Sequence, residues 1–401
     1  MAVLVQGLTG AGPIQAKVRG GMKAETFSDL ASVEALWRGM EADPGVLATP
    51  YQRFDWVAAY LRAEPDAELC IVVLRDAAGR PRVLIPLVVT REHGIRVAQV
   101  IGAKHANYHM PFFASREAAA MSPEDLVERL RHVGRETGID VFALSHQPRF
   151  WDGSANPLSF RPEPSPSDAY GLILGPDPDS TIKRIFSADA RKKLRSKEKK
   201  LVEAFGPVAY KCASTPEEAT AFLAAFYEQK AIRFAAMGIA NPYARAAVRA
   251  YLAAGIGRDG ASAAPAIEVA ALVATDTGRV FAVFAGAVDA VRYSGMVTSF
   301  DQDPVVGRSS PGDILLHHLI KDQTARGRRA FDLGVGEARY KASICDETIA
   351  LGEVTIPVTL RGHLFAVKAV GLARLKRRIK RDPRLAALVA KLRRSRAAPA
   401  D

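Results

Sequence analysis

Cysteine is scarce in this chain. Cys70, Cys212 and Cys345 are the three in 401 residues, far apart and odd in number. They form no CxxC pair and no Cys/His ligand spacing, which argues against a disulfide framework and against zinc. No metal is expected, and the scarcity fits a reducing cytoplasm. Long apolar runs are missing as well. No stretch of about 18 uncharged apolar residues occurs, so no membrane-spanning helix is expected. The opening MAVLVQGLTGAGPIQAKVRGG lacks a basic start followed by a compact apolar core. Residues 1–23 therefore read as a flexible leader and not a signal peptide, with Met22 as an alternative start. Net charge is missing from most of the chain. Of the total of +12, residues 361–401 hold 13 Lys/Arg and 2 Asp, and the rest carries 42 basic and 41 acidic groups. The high isoelectric point thus describes a tail and not the body.

What is present is a globular profile, 48% apolar and 24% charged, long enough for two domains. SDLASVEALWRGMEAD predicts a helix capped by Ser28, and YQRFDWVAAYLRAE predicts another. Three short antiparallel strands follow between Glu68 and Gly102. The next helix is capped by Ser122 and stopped by Gly138, and IDVFALSHQP is a strand. Five prolines in RPEPSPSDAYGLILGPDPDS mark a boundary. Beyond it come a basic helix or helix pair, the strand PVAYKCAS, a helix capped by Thr215 with Glu218 three residues on, and a further helix. A run of strands, the helix DILLHHLIKDQTARG and two more strands complete the body. Both halves share one order of helices, antiparallel strands, helix and strand. The expected fold is α+β, two related domains at 24–175 and 176–362 with a basic tail at 363–401.

Three segments carry candidate chemistry. Gly307, Arg308, Ser309, Ser310, Pro311, Gly312 and Asp313 follow a strand and open a helix. Exposed backbone N–H groups there, with Arg308, would make a phosphate cradle, although a Ser-Pro helix cap explains the same residues. In GRRAFDLGVGEARYK, strand alternation turns Asp332 away from Phe331 and Leu333. A carboxylate at a strand end can act as a base, and Gly334 and Gly336 would admit a ligand close to the backbone. A glycine-bearing loop with solvated charges is the plainer alternative. Lys104–Pro111 gathers two His, Asn107 and Tyr108 in a loop. His317 and His318 sit among leucines and read as a packed pair. Cys345 lies nearby, but no oriented base accompanies it.

The order SPGDILL…ARGRRAFDLGVGEARYK resembles the GNAT-type acetyltransferases grouped with the cellulose-biosynthesis CelD/BcsL proteins, relatives of the Fem peptidyltransferases. The resembling pieces are Ser310-Pro311-Gly312, Arg326-Gly327, Phe331-Asp332, Gly334/Gly336 and Tyr340-Lys341, with the basic helix near Arg191–Leu201. The first half contributes LIPL and the loop after Ile101-Gly102. Two features depart from the pattern. No clean Arg/Gln-x-x-Gly-x-Gly/Ala precedes the helix, and Asn107 stands where an acidic residue is frequent.

The resemblance implies tandem GNAT-like domains and direct acyl transfer. An amine or hydroxyl of a sugar or glycolipid acceptor attacks the thioester of acetyl-CoA, a co-substrate, without a metal. On this resemblance the 307–313 loop seats the donor. Asp332, Tyr340 and Lys341 line the acceptor cleft, with Glu337 and Arg339 beside them. Asn107, Tyr108 and His109 close it from the first half, His109 being a candidate base.

The tail, from Gly362, reads as two helices broken at Asp382-Pro383. Leu385, Leu388, Val389 and Leu392 form one apolar stripe, and Phe365, Leu372, Leu375 and Ile379 a looser one. Such a segment suits an anionic membrane surface. Arg374, Arg377, Arg378 and Arg381 would also suit a cyclic dinucleotide, and a helix packed on the body is the third option. The expected protein is a cytoplasmic acyltransferase, peripheral at the inner membrane face, modifying a cell-envelope or exopolysaccharide precursor. One rival is an aminoacyl-tRNA-dependent Fem-like transferase, since residues 181–200 hold nine Lys/Arg and two acids. A charge run is normally a solvated helix face, so nucleic acid is not the expected partner. The other rival is a non-catalytic adaptor on the same fold.

Overall fold

A computed structural model describes residues 22–102, 105–257 and 264–382. Of the expected leader only Met22 and Lys23 fall within these, and the second tail helix with its stripe lies outside them. The chain runs β1 (Lys23–Phe27), α1 (Ala31–Glu41), α2 (Phe54–Arg62), β2 (Glu68–Arg75), β3 (Pro81–Glu92), β4 (Ile95–Val100), β5 (Phe112–Phe113), α3 (Arg116–Ala119), α4 (Pro123–Thr137), β6 (Val141–Pro148), β7 (Phe150–Trp151), β8 (Ser154–Ala155), β9 (Glu163–Pro164) and β10 (Ala169–Ile173). It continues through α5 (Pro178–Ile185), α6 (Ala188–Phe205), β11 (Val208–Cys212), α7 (Pro216–Ala236), α8 (Ala246–Ile256), β12 (Ile267–Ala274), β13 (Val280–Val288), β14 (Arg292–Phe300), α9 (Pro304–Arg308), α10 (Pro311–Ala325), β15 (Ala330–Val335), α11 (Arg339–Ile344), β16 (Glu347–Ile349), β17 (Leu351–Pro357) and α12 (Leu360–Arg381).

Local chemistry sets most of these bounds. Ser122 accepts from the Asp125 amide at the start of α4, and Gly138 ends it with a left-handed φ of 70°. Thr215 caps α7 through the Glu218 amide. Ser28 does not cap α1. That helix starts later, and the Asp29 carboxylate accepts from the Ser32 amide at 2.8 Å. The basic stretch divides into α5 and α6, where Ser187 caps the second helix.

Two sheets form. The first has the order β1-β2-β3-β4-β6-β17-β9, with β5 pairing β3, and the second β11-β12-β13-β14-β15-β10-β16. Each is an antiparallel meander, then a helical crossover (α4 or α10), then one parallel pair, β4 with β6 and β14 with β15. The last long strand of each sheet is exchanged. β17, from the end of the chain, pairs with β6, while β10, from between the halves, pairs with β15. The boundary expected at 175 thus falls just after a strand of the second sheet.

The halves share a core. One apolar cluster runs from Trp37 and Phe142 in the first half to Phe226, Tyr251 and Val269 in the second. Aromatic edges link it, Tyr51 to Trp56 at 5.2 Å and Trp56 to Tyr251 at 5.9 Å. A second cluster fills the other face of the second sheet, under α5 and α10.

Candidate active site

The parallel pairing of β14 with β15 is short. It covers Arg292↔Ala330, Tyr293↔Phe331 and Ser294↔Asp332. β14 then runs on to Phe300 and β15 to Val335 without pairing to each other, each still paired on its other side. One side chain bridges the place where they part. Asn107 Nδ2 donates to Gly295 O of β14 at 2.8 Å, and Asn107 Oδ1 accepts from the Val335 amide of β15 at 3.4 Å. The same Nδ2 reaches Tyr51 Oη at 2.7 Å and Ser294 Oγ at 3.1 Å. The first half treats its own parallel pair differently. There β4 and β6 pair over Val97↔Val141 to Gln99↔Ala143, and the chain itself follows β6, the His109 amide donating to His146 O at 3.0 Å.

Asp332 lies beneath this bridge, fully buried. Its Oδ1 accepts from Ser294 Oγ at 2.8 Å and from the Gly334 amide at 3.1 Å. Its Oδ2 faces Arg292 Nη1 at 3.6 Å, and the Arg292 guanidinium lies 4.2 Å over the Trp151 ring. Asp332 Oδ2, Arg292 Nη1 and the Tyr108 hydroxyl have no well-formed hydrogen bond among the described residues. Burial raises the Asp332 carboxyl to about 6, against the opposing pull of Arg292, Ser294, Tyr108 and the Gly334 amide. Burial and that carboxylate hold the Tyr51 and Tyr108 hydroxyls well above their usual range.

The glycines past Asp332 have a geometric reason. Gly334 and Gly336 take φ of 73° and 105°, where a side chain is strained. Lys341 holds the turn. It is buried, and its Nζ donates to Gly334 O at 3.1 Å and Val335 O at 3.3 Å. Burial lowers its pKa, while Cys345 and Asp332 pull it back up. Tyr340, one residue before, is 46% exposed and close enough to Asp313 to feel its charge. Glu337 is exposed, and its charge acts on Tyr170. Arg339 opens α11; its side chain lies outside the description.

The expected cradle is narrower than the sequence suggested. Residues 304–308 form α9, capped by Asp303 through the Val305 amide. The amides of Gly307, Ser309 and Ser310 donate to Asp303 O, Val306 O and Gly307 O at 2.8, 3.0 and 3.1 Å. Arg308 Nε turns back to Pro304 O at 3.3 Å. Pro311 has no N–H, which leaves the Gly312 amide as the first-turn donor without a backbone acceptor among the described residues. Ser310 sits in the left-handed region with φ of 47°, unusual for a residue with a side chain. Its Oγ accepts from Lys197 Nζ of α6 at 2.9 Å, and Lys197 is 3.5 Å from Asp313 Oδ2. The space above Gly307 and Gly312 is open.

The structure thus gathers Asn107, Tyr108 and Lys341 around Asp332 and its glycine turn, with Tyr340 and Asp313 close to each other beside it and Ser310 next to Asp313. His109 diverges from Tyr108. It lines a cavity of the first half with Val100, Met110, Gln147 and Leu158, its ring 6.3 Å from that of His146. The tail arginines are partly engaged: Arg374 and Arg377 pair with Glu163, and Arg377 also donates to Pro164 O at 2.8 Å. Arg378 is exposed, and the Arg381 side chain lies outside the description. Burial pushes the Cys345 thiol up to about 12, which favours the protonated thiol over the thiolate. The histidines pack as expected. His317 is held down to about 4 by burial, and His318 Nε2 meets Glu198 Oε1 at 2.9 Å. No group of three or more His, Cys, Asp or Glu among the described residues is arranged to hold a metal. Tyr51, Arg292, Ser294 and Lys197 escaped the sequence reading. Ser294 and Arg292 carry no motif, only a register opposite β15. Lys197 lay in a recognised basic helix, but which face it used was not legible.

Residues 188–342 match the family described as an acetyltransferase (GNAT) domain. The match runs from α6 to α11 and so contains Lys197, Ser294, Ser310, Asp332 and Lys341. The second half thus carries the match to a GNAT-type domain, and the enzyme is an acyltransferase. No curated protein matches the chain. Among solved structures it is similar to FemX, with a TM-score of 0.58 and 9% identity over 86% of this chain and 99% of that one. It is also similar to a conserved protein of unknown function from Bacteroides thetaiotaomicron VPI-5482, with a TM-score of 0.52 and 10% identity over 84% and 100% of the two chains. At such identities the likeness is one of fold, two GNAT-like sheets in tandem.

Proposed function

We propose that the enzyme transfers an acetyl group from acetyl-CoA to an amine or hydroxyl of a sugar in an exopolysaccharide or cell-envelope precursor, on the cytoplasmic side, as its CelD/BcsL-like residues imply. One observation carries the proposal. The parting of β14 and β15 is spanned by the Asn107 side chain, and the start of α10, with Lys197 beside it, lies at the end of the segment leaving β14. The Gly312 amide and Lys197 offer positive charge to the donor's phosphates. The acceptor atom attacks the thioester carbonyl and gives its proton to water, the C–S bond breaks, and the departing CoA thiolate takes up a proton. Tyr340 is the exposed member of the group that can supply that proton. Asp332 and Lys341 are positioning residues: both are buried, and both fix the turn at Gly334. Backbone N–H groups at the parted strands would steady the oxyanion.

Calorimetry with acetyl-CoA, followed by mass spectrometry of amino-sugar acceptors, tests the proposal. Micromolar or tighter binding and a product heavier by one acetyl group are expected. Absence of binding at millimolar ligand would exclude the CoA donor. A second reading, an aminoacyl-tRNA-dependent transferase, draws on the exposed Lys192, Lys193, Arg195, Lys199 and Lys200 of α6 and predicts tRNA binding with a steep salt dependence.

A further inference from the structure

α12 is held against the first sheet at both ends. Thr359 caps its start through the Gly362 amide at 3.2 Å and donates to Asp140 Oδ1 at 2.6 Å. Gly362 is pressed onto the Asp140 carbonyl, where a Cβ would lie 1.9 Å from the oxygen. Glu163 and Pro164 of β9 hold Arg374 and Arg377 near the other end. The face opposite these contacts is not polar. Leu360, Leu364, Val367 and Leu375 are 85%, 73%, 74% and 53% exposed, and Leu372 beside them is 47% exposed. Their spacing, with Gly371 between, follows one line along the helix. Arg361, Lys368, Arg374 and Arg378 are exposed on the same helix, and no acidic residue occurs between Leu360 and Arg381.

This ridge differs from the stripe expected from sequence, since Phe365 and Ile379 are half-buried. A contiguous run of large apolar side chains on a helix already packed on its other side calls for a cover that none of the described residues supplies. We infer that the outer face of α12 docks on an anionic lipid bilayer, its leucines and Val367 in the interface and its arginines and lysine at the headgroups. Charge selects this occupant. A second copy of the same face would set basic rims against each other, and a nucleic acid would leave the leucine ridge in water. A bilayer with acidic headgroups satisfies both the apolar line and the cations. The inference is independent of which acyl group or acceptor the enzyme uses.

Sedimentation of the full chain with vesicles tests it, using phosphatidylcholine with phosphatidylglycerol against phosphatidylcholine alone. Binding to the mixed vesicles is expected, weakening as salt rises, with little binding to the neutral ones. The double substitution Leu364→Ser/Val367→Ser should lower the partition coefficient by about tenfold or more with an unchanged thermal midpoint, because both side chains already face water. Arg361→Gln/Lys368→Gln should lower it by about fivefold per charge, and serves alone if the first variant misfolds. Equal binding to both vesicle types, or unchanged binding of either variant, overturns the inference. A dimer in sedimentation velocity that the Leu364/Val367 variant dissociates would assign the face to a second copy instead, and tight binding to a polyphosphate or RNA that depends on the ridge would assign it to a polyanion.

Discussion

The carboxamide of Asn107 packs directly against Gly334, so that a Cβ at 334 would lie 2.7 Å from Asn107 Oδ1 and 2.9 Å from its Nδ2. One residue from each half therefore determines what the other can be. Gly334→Ala meets both this contact and a φ of 73°. It should destabilise the protein by about 2 kcal/mol or more, part of it from the left-handed backbone. Asn107→Ala should cost about 1–3 kcal/mol by leaving buried backbone groups unpaired. In urea denaturation the double variant should lose less than the two single losses added together, because removing the carboxamide makes room for the methyl. Strict additivity would show that the two residues do not touch.

Asp332 separates positioning from proton transfer. Asp332→Ala strips the acceptor from Ser294 and the Gly334 amide and leaves Arg292 uncompensated, at a cost of about 3–5 kcal/mol. Asp332→Asn keeps an acceptor at Oδ1 and should stay folded. Its kcat should fall by less than about tenfold if the residue only holds the turn; a loss of about 10²–10⁴ would mark it as the base.

The α+β plan, the shared order of the halves and the caps at Ser122 and Thr215 were legible because they rest on periodicity and local hydrogen bonds. Asp332, Asn107 and Lys341 could be picked out as candidates, because strand end, glycine turn and polar loop are local signals. What could not be read was their enclosure. Asp332 looked like a cleft carboxylate, yet its partners Ser294 and Arg292 come from another strand and Tyr108 from the other half. His109 and Tyr108 looked like one pair, but adjacent side chains diverge, and only the packed first sheet decides which goes where. The 307–313 segment hid the end of a helical turn, since Asp303 rather than Ser310 does the capping there.

Lys197 should act on the donor and not on the fold. It is partly exposed and tied to Ser310 at the start of α10. Lys197→Ala should weaken acetyl-CoA binding by about fivefold to tenfold in calorimetry and leave the melting midpoint unchanged. Equal affinity would move the donor's phosphates away from α10.

Glu41 offers a pH-dependent stability effect remote from the site. Burial raises its carboxyl to about 7, although its Oε1 accepts from the Phe54 amide at 2.5 Å and Arg53 lies near. A raised carboxyl stabilises the fold fully below its unfolded value near 4.5, and that contribution is lost as pH rises through about 7. Glu41→Gln keeps the acceptor without the charge. It should match the parent at low pH and exceed it by about 1–3 kcal/mol above neutrality, as measured by chemical denaturation across pH. A constant difference at all pH values would show that Glu41 does not titrate in this range.

The exchanged strands bear on how the chain can be made. β6 must wait for β17, about two hundred positions later in synthesis, before its open edge is covered. A nascent chain emerging from the ribosome therefore carries an unfinished first sheet until nearly all of the second has been translated. That delay exposes a pairing edge of the kind that chaperones shield and that aggregation exploits. It also means that cutting the chain between its halves yields two fragments, each lacking the strand the other retains.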